Sequence, residues 1–157
     1  MMTKQQLEPM YGYFKMVLGM TRKLVEQFPE DKMQFRPVAE CRTVAELVGH
    51  LYGFLVDAQL TAQKGEQVMT PEVKLATKAE ALAFMDSQVA KAFEIFSGLN
   101  DAQFAKSIEA YGEKFQGWQF LTFAYDEHWH HRGQLTVYLR LLGIQPIMIY
   151  DYGTLQG

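Results

Sequence analysis

Residues Trp118–Leu142 read WQFLTFAYDEHWHHRGQLTVYLRLL, and three of the chain's four histidines fall within this run. Stepping ~100° per residue from His131 brings Phe120, Ala124, Leu135, Tyr138 and Leu142 to within roughly 40° of it, the core stripe of an amphipathic helix. Gly143 follows as a favoured helix terminator, with Pro146 beyond it. Glu127 and His131, four residues apart, lie in the middle of the apolar stripe, and His128 and Gln134 lie at its two flanks. Trp129, Arg132, Thr136 and Arg140 project the opposite way, which places both arginines at the surface and makes Trp129 a candidate subunit contact. A carboxylate and an imidazole in a core stripe cost several kcal/mol unless they are paired. Either they hydrogen-bond to each other, or both bind one divalent cation, since side chains one turn apart converge on a point.

The same helical period appears in three further segments. The first covers about Gln5–Gln27, where Pro9 predicts an early kink or a later start. The second opens on Thr43-Val44-Ala45-Glu46, a capping box in which each end satisfies the other's orphan amide, and runs to about Lys64. The third opens on a second box, Thr77-Lys78-Ala79-Glu80, and runs to about Ser97. Asn100 caps a short turn, and the segment from Asp101 to Gln116 reads as irregular. Four long helices without a sheet predict an all-α fold, a four-helix bundle occupying residues 1–157 as one domain. The connections Phe28–Arg42 and Gly65–Ala76 are longer than the ~2–8 residues usual between bundle helices, so a crossover connection is expected. The tail, Ile144–Tyr152, is apolar and aromatic and is expected to pack across the bundle or at a subunit contact.

On the second helix His50 sits at the edge of the stripe formed by Val44, Leu47, Leu51, Phe54, Leu55 and Ala58, with Asp57 two turns along the same side. If the second and fourth helices are neighbours, His50 joins Glu127 and His131 in a two-histidine, one-carboxylate set that leaves positions open for water or substrate. A di-metal bundle site is disfavoured: Glu127-His128-Trp129-His130 matches Glu-x-x-His, but Glu46 is committed to a helix cap and the first and third helices offer no mid-core acid other than Asp86.

The net charge of −3 provides no basic field for a phosphate backbone, which argues against nucleic acid as a partner. The single cysteine, Cys41, excludes an internal disulfide and fits a reducing cytoplasm. No apolar run approaches the ~18 residues of a membrane span, so a cytoplasmic protein with no membrane partner is expected.

The run His130-His131-Arg132-Gly133-Gln134-Leu135, continued by Val137-Tyr138-Leu139-Arg140-Leu141-Leu142-Gly143, resembles the signature of the DinB/YfiT family. Phe35-Arg36-Pro37 followed by Arg42-Thr43-Val44-Ala45-Glu46-Leu47 and His50 resembles it too. The resemblance implies a four-helix bundle, often a homodimer, with a divalent metal (Ni, Zn, Fe or Mn) held by three side chains, one from the second helix and two from the fourth. By position these are His50, Glu127 and His131, and Glu127 stands where most members have histidine. A carboxylate there favours harder ions such as Mn or Fe; otherwise His128 substitutes from one residue along, or the site is degenerate and empty. Relatives include thiol-dependent transferases and isomerases, so the resemblance implies a metal-dependent enzyme, a thiol S-transferase or a hydrolase, acting on small molecules with a low-molecular-weight thiol as partner. His128 would orient a ligand or shuttle a proton, and Gln134 and Tyr138 would line the pocket. The family name refers to DNA-damage induction, a matter of expression and not of DNA binding. The alternative is a non-catalytic bundle that binds a ligand or partner and has lost its metal.

Overall fold

The computed structural model describes residues 2–156. Helix α1 spans Lys4–Glu26, α2 Val44–Lys64, α3 Lys78–Gly98, the short α4 Asp101–Ala105 and α5 Gly117–Leu141. A hairpin of β1 (Ser107–Ala110) and β2 (Glu113–Gln116) lies between α4 and α5, and single 3₁₀ turns occupy Glu30–Lys32 and Tyr152–Gln156. The four long helices are the expected ones, and the fold is all-α apart from the hairpin.

Local chemistry sets the helix ends. Thr43 with Glu46 and Thr77 with Glu80 form the reciprocal caps read from the sequence. A third box, Thr3 with Gln6, starts α1 ahead of Pro9, and the helix runs on through the proline, so of the two expected outcomes the later start does not occur. At the other end of the chain the amide of Gly143 donates to Arg140 and that of Ile144 to Leu139, the two bonds of a Schellman motif, with Gly143 at φ 75°.

Helix α2 packs against both α3 and α5, and α1 packs against the same two, so α1 and α2 lie across the bundle from each other although they are consecutive. The connection from Phe28 to Thr43 therefore spans the diagonal, as its length suggested. The core is filled by residues such as Phe14, Val17, Leu24, Val48, Ala62, Leu121 and Leu135, all fully buried. The tail runs back along α1: Gln27 bonds the Gln145 carbonyl and the Ile147 amide, Tyr13 and Tyr152 share a hydroxyl hydrogen bond, and Leu155 seats against Gly19. It covers the bundle, as one of the two expected placements had it.

The segment expected to be irregular is instead α4 and the hairpin. Its strands pair Ser107 with Gln116 and Ala110 with Glu113, leaving Tyr111 and Gly112 as a two-residue turn with φ of 55° and 81°. Such a turn favours Asn and Gly, because a β-carbon at positive φ crowds the backbone. Replacing Tyr111 with Asn is expected to stabilise the chain by roughly 0.5–1 kcal/mol, read as a higher urea midpoint with an unchanged slope. A lower midpoint would show that the tyrosine ring contributes more than its backbone costs.

Candidate metal centre

Because α2 and α5 are neighbours, His50 comes to the cluster. The Nε2 atom of His131 lies 3.1 Å from Oε2 of Glu127, and Nε2 of His50 lies 3.5 Å from the same oxygen. The two imidazole rings are perpendicular, with centroids 4.9 Å apart. One potential ligand atom from each of the three residues falls within 4.8 Å of the others.

The surrounding hydrogen bonds orient the imidazole rings. Gln134 faces two histidines, its amide oxygen 2.8 Å from Nδ1 of His131 and its amide nitrogen 3.5 Å from Nε2 of His130. The amide oxygen can only accept, so His131 donates from Nδ1 and turns Nε2 toward Glu127. His50 lies between two carboxylates, with Nδ1 3.5 Å from Glu72 and Nε2 3.5 Å from Glu127. Burial, together with the charges of Arg42 and of His131, pulls the His50 pKa below its ordinary value against the opposing influence of Glu127. Two imidazoles and a carboxylate thus converge on one point. Ligand atoms ~2.0–2.1 Å from a tetrahedral ion are ~3.3 Å from one another, close to the 3.1 and 3.5 Å seen here. The residues present fit a divalent cation.

A cavity of about 830 Å³ opens beside His50 and Glu127, within the range that holds a small molecule. Its aromatic wall is made by Phe54 of α2, Phe84 of α3, Phe123 of α5 and, from the hairpin, Tyr111 and Phe115. The loop after α2 forms its rim. Asp57, buried, accepts hydrogen bonds from the amide and hydroxyl of Thr70 at 2.8 and 2.9 Å, which ties the loop down. At Gly49 a β-carbon would come within 3.2 Å of the Val73 carbonyl, so the glycine one residue before His50 lets this loop close over the helix. Glu72 is thereby placed between His50 and Arg42, whose guanidinium donates to it at 2.7 Å.

Three expectations need correction. His128 does not join the cluster: it is 2% exposed, between Phe14 and Tyr52, with Nε2 2.7 Å from the Thr21 hydroxyl, so it neither orients a ligand nor stands in for Glu127. Its pKa is pushed down to about 3, chiefly by burial, so the ring is neutral at pH 7. Gln134 and Tyr138 are absent from the cavity wall. Gln134 instead fixes His131, while Tyr138 packs on Phe35 and donates to the Arg42 carbonyl at 3.0 Å, its pKa pushed up to about 12 by burial and by the Cys41 thiol. Arg132 is not at the surface but 1% exposed, its guanidinium 4.1 Å from the Trp129 ring and beneath the tail tyrosines. Trp129, between Tyr13, Tyr125 and Arg132, is occupied within its own chain. Arg140 is exposed as expected. Sequence reading missed Glu72 and the anchoring role of Asp57; the sole signal was that Asp57 shares the His50 side of α2.

The chain matches the DinB family over residues 1–156. It belongs to the DinB family. A Bacillus subtilis relative, YjoA, is 24% identical over 150 residues, covering 93% of this chain and 97% of its own. Among solved structures, a DinB-like protein from Bacillus cereus superposes with a TM-score of 0.75 at 16% identity, over 94% of this chain and 98% of that one. A mycothiol-dependent maleylpyruvate isomerase superposes with a TM-score of 0.62 at 17% identity, over 86% of this chain and 63% of the isomerase. At these identities the likeness is one of DinB fold. Among the described residues no helix is long and apolar enough to cross a membrane.

Proposed function

We propose that this chain is a divalent-metal-dependent DinB enzyme acting on small molecules, with His50, Glu127 and His131 as the metal's ligands. The observation that carries the reading is the convergence of two imidazole nitrogens on one carboxylate oxygen at 3.1 and 3.5 Å. Ni, Zn, Fe and Mn all suit two imidazoles and a carboxylate, and the carboxylate shifts the preference toward Mn or Fe. When bound, such an ion supplies a Lewis acid that lowers the pKa of a thiol or water held at an open position.

The chain's own residues do the rest. Gln134 holds His131 in the tautomer that presents Nε2. Glu72 steadies His50 from outside, and the aromatic wall keeps water from the side of the site where a substrate enters. A thiol S-transferase is the activity that accords best with the fold shared with a mycothiol-dependent enzyme, and a hydrolase would use the same ligands. In a chain without metal, Glu127 and His131 would instead form an ordinary helical pair four residues apart. Elemental analysis of the purified chain separates these: about one ion per chain is expected. A metal-free protein that takes up none of the four metals would leave that pair as the whole story.

We further propose a homodimer in the cytoplasm. Val137 and Leu141, one turn apart on α5 and both more than half exposed, are the apolar surface that suits a partner helix. Sedimentation at the concentration used for metal analysis should show twice the chain mass, and a monomer there would remove the dimer.

A further inference from the structure

The cavity joins two properties that point to the same kind of ligand. Five aromatic side chains wall it, Phe54, Phe84, Tyr111, Phe115 and Phe123. Four carboxylates line it as well, Asp57, Glu72, Asp126 and Glu127, against one guanidinium, Arg42, and that guanidinium is already paired with Glu72. Aromatic rings attract cations through their negative faces, and a cavity with low-dielectric walls strengthens the pull of carboxylates on a positive charge. An anionic ligand would meet the opposite balance. Of the four acids, Glu127 belongs to the metal set, Glu72 to Arg42 and Asp57 to Thr70, so Asp126 remains for the ligand.

Tyr111 stands at a positive φ that favours Asn or Gly, and its side chain lines this cavity. Residues kept at a conformational cost cluster where ligands are held.

We propose that the cavity binds the electrophilic or hydrolysable substrate of this enzyme as an amine-bearing aromatic or similarly apolar small molecule. Its positive group lies toward Asp126, and its reacting end lies toward His50 and Glu127. The inference rests on the metal-enzyme reading only for which end reacts; the charge preference belongs to the cavity itself.

The test uses three probes of nearly one shape, 2-naphthylmethylamine, 2-naphthalenemethanol and 2-naphthoate, titrated calorimetrically at low salt into the full chain. Each titration is made with chelator-treated protein and again after loading with Mn²⁺. The amine is expected to bind at least tenfold more tightly than the carboxylate, with the alcohol between them, in both states. Asp126→Asn, at an exposed position, should shrink the amine-to-carboxylate ratio at least threefold. Tyr111→Asn should weaken the amine severalfold while raising the urea midpoint, a pair of opposite changes that general destabilisation cannot produce. Naphthoate binding as tightly as the amine, a ratio unmoved by Asp126→Asn, an order lost on Mn²⁺ loading, or no binding by any probe would overturn the proposal. A chain that keeps the probe order but takes up no metal would sink the metal-enzyme reading and leave the cavity's preference standing.

Discussion

Adding Mn²⁺, Fe²⁺, Ni²⁺ or Zn²⁺ to the chelator-treated chain at about a hundred times the dissociation constant should stabilise it by ~2.7 kcal/mol, because a ligand that binds only the folded state shifts unfolding by mass action. For a chain of this length that is a rise in Tm of about 5–10 °C. His131→Ala and His50→Ala should each abolish the rise and lower metal affinity on the order of 100-fold or more, since each removes one of three ligands. Both should keep their helical circular dichroism, because His50 is half-buried and the His131 ring touches mainly Glu127, His50, His130 and Gln134. Glu127→Gln preserves size while removing the charge and should weaken binding comparably. Glu127→His should retain a bound metal and move the preference toward Zn or Ni, because it exchanges a hard oxygen for a nitrogen. Gln134→Leu, which frees the His131 tautomer without touching a ligand atom, should cost ~10-fold in affinity. A wild-type melting curve indifferent to all four metals would end the metal reading.

How much of this could be read from the sequence depended on how far each signal reaches. Helices α1, α2, α3 and α5 are legible because each repeats its apolar stripe over five turns or more. Strands of four residues repeat a period of two only twice, so the hairpin was hidden until Tyr111 and Gly112 were seen at positive φ. The convergence of His50, Glu127 and His131 was foreseeable from their helical faces once α2 and α5 were taken as neighbours. The helical projection misled in a different way for His128 and Arg132. His128 and Gln134 flank the stripe on opposite sides, and the wheel alone cannot say which side meets α1 and which meets α2. Arg132 points away from α5's own stripe, yet it is buried by Tyr152 of a tail that no helix period describes. Glu72 reaches His50 from a loop 22 residues further along the chain, where spacing carries no three-dimensional information.

The burial of His128 predicts a specific sensitivity to acid. The single hydroxyl proton of Thr21 is donated to the Val17 carbonyl at 3.0 Å, so the 2.7 Å contact with His128 must be a hydrogen bond from its Nε2–H. The neutral ring is therefore satisfied, whereas a second proton would place a charge among Phe14, Tyr52 and the nearby Arg132. The folded pKa of about 3 lies below the ordinary 6.5. Between those values the unfolded chain binds more protons than the folded one, so stability falls as pH drops below about 6.5 and goes on falling toward pH 3, by up to ~1.4 kcal/mol per unit. His128→Gln keeps an N–H donor for Thr21 and removes the titration. It should cost about 1–2 kcal/mol at pH 7 through imperfect packing. The gap to the wild type should then close by about 3 kcal/mol between pH 7 and pH 4.5, so the variant ends equal or more stable in acid. Urea unfolding of both chains with chelator present measures this difference directly, because the carboxylates and the other three histidines titrate in both and cancel. Parallel pH profiles would mean that His128 takes up its proton in the folded core without penalty. The packing of the bundle on its α1 side would then be looser than a ring between Phe14 and Tyr52 implies.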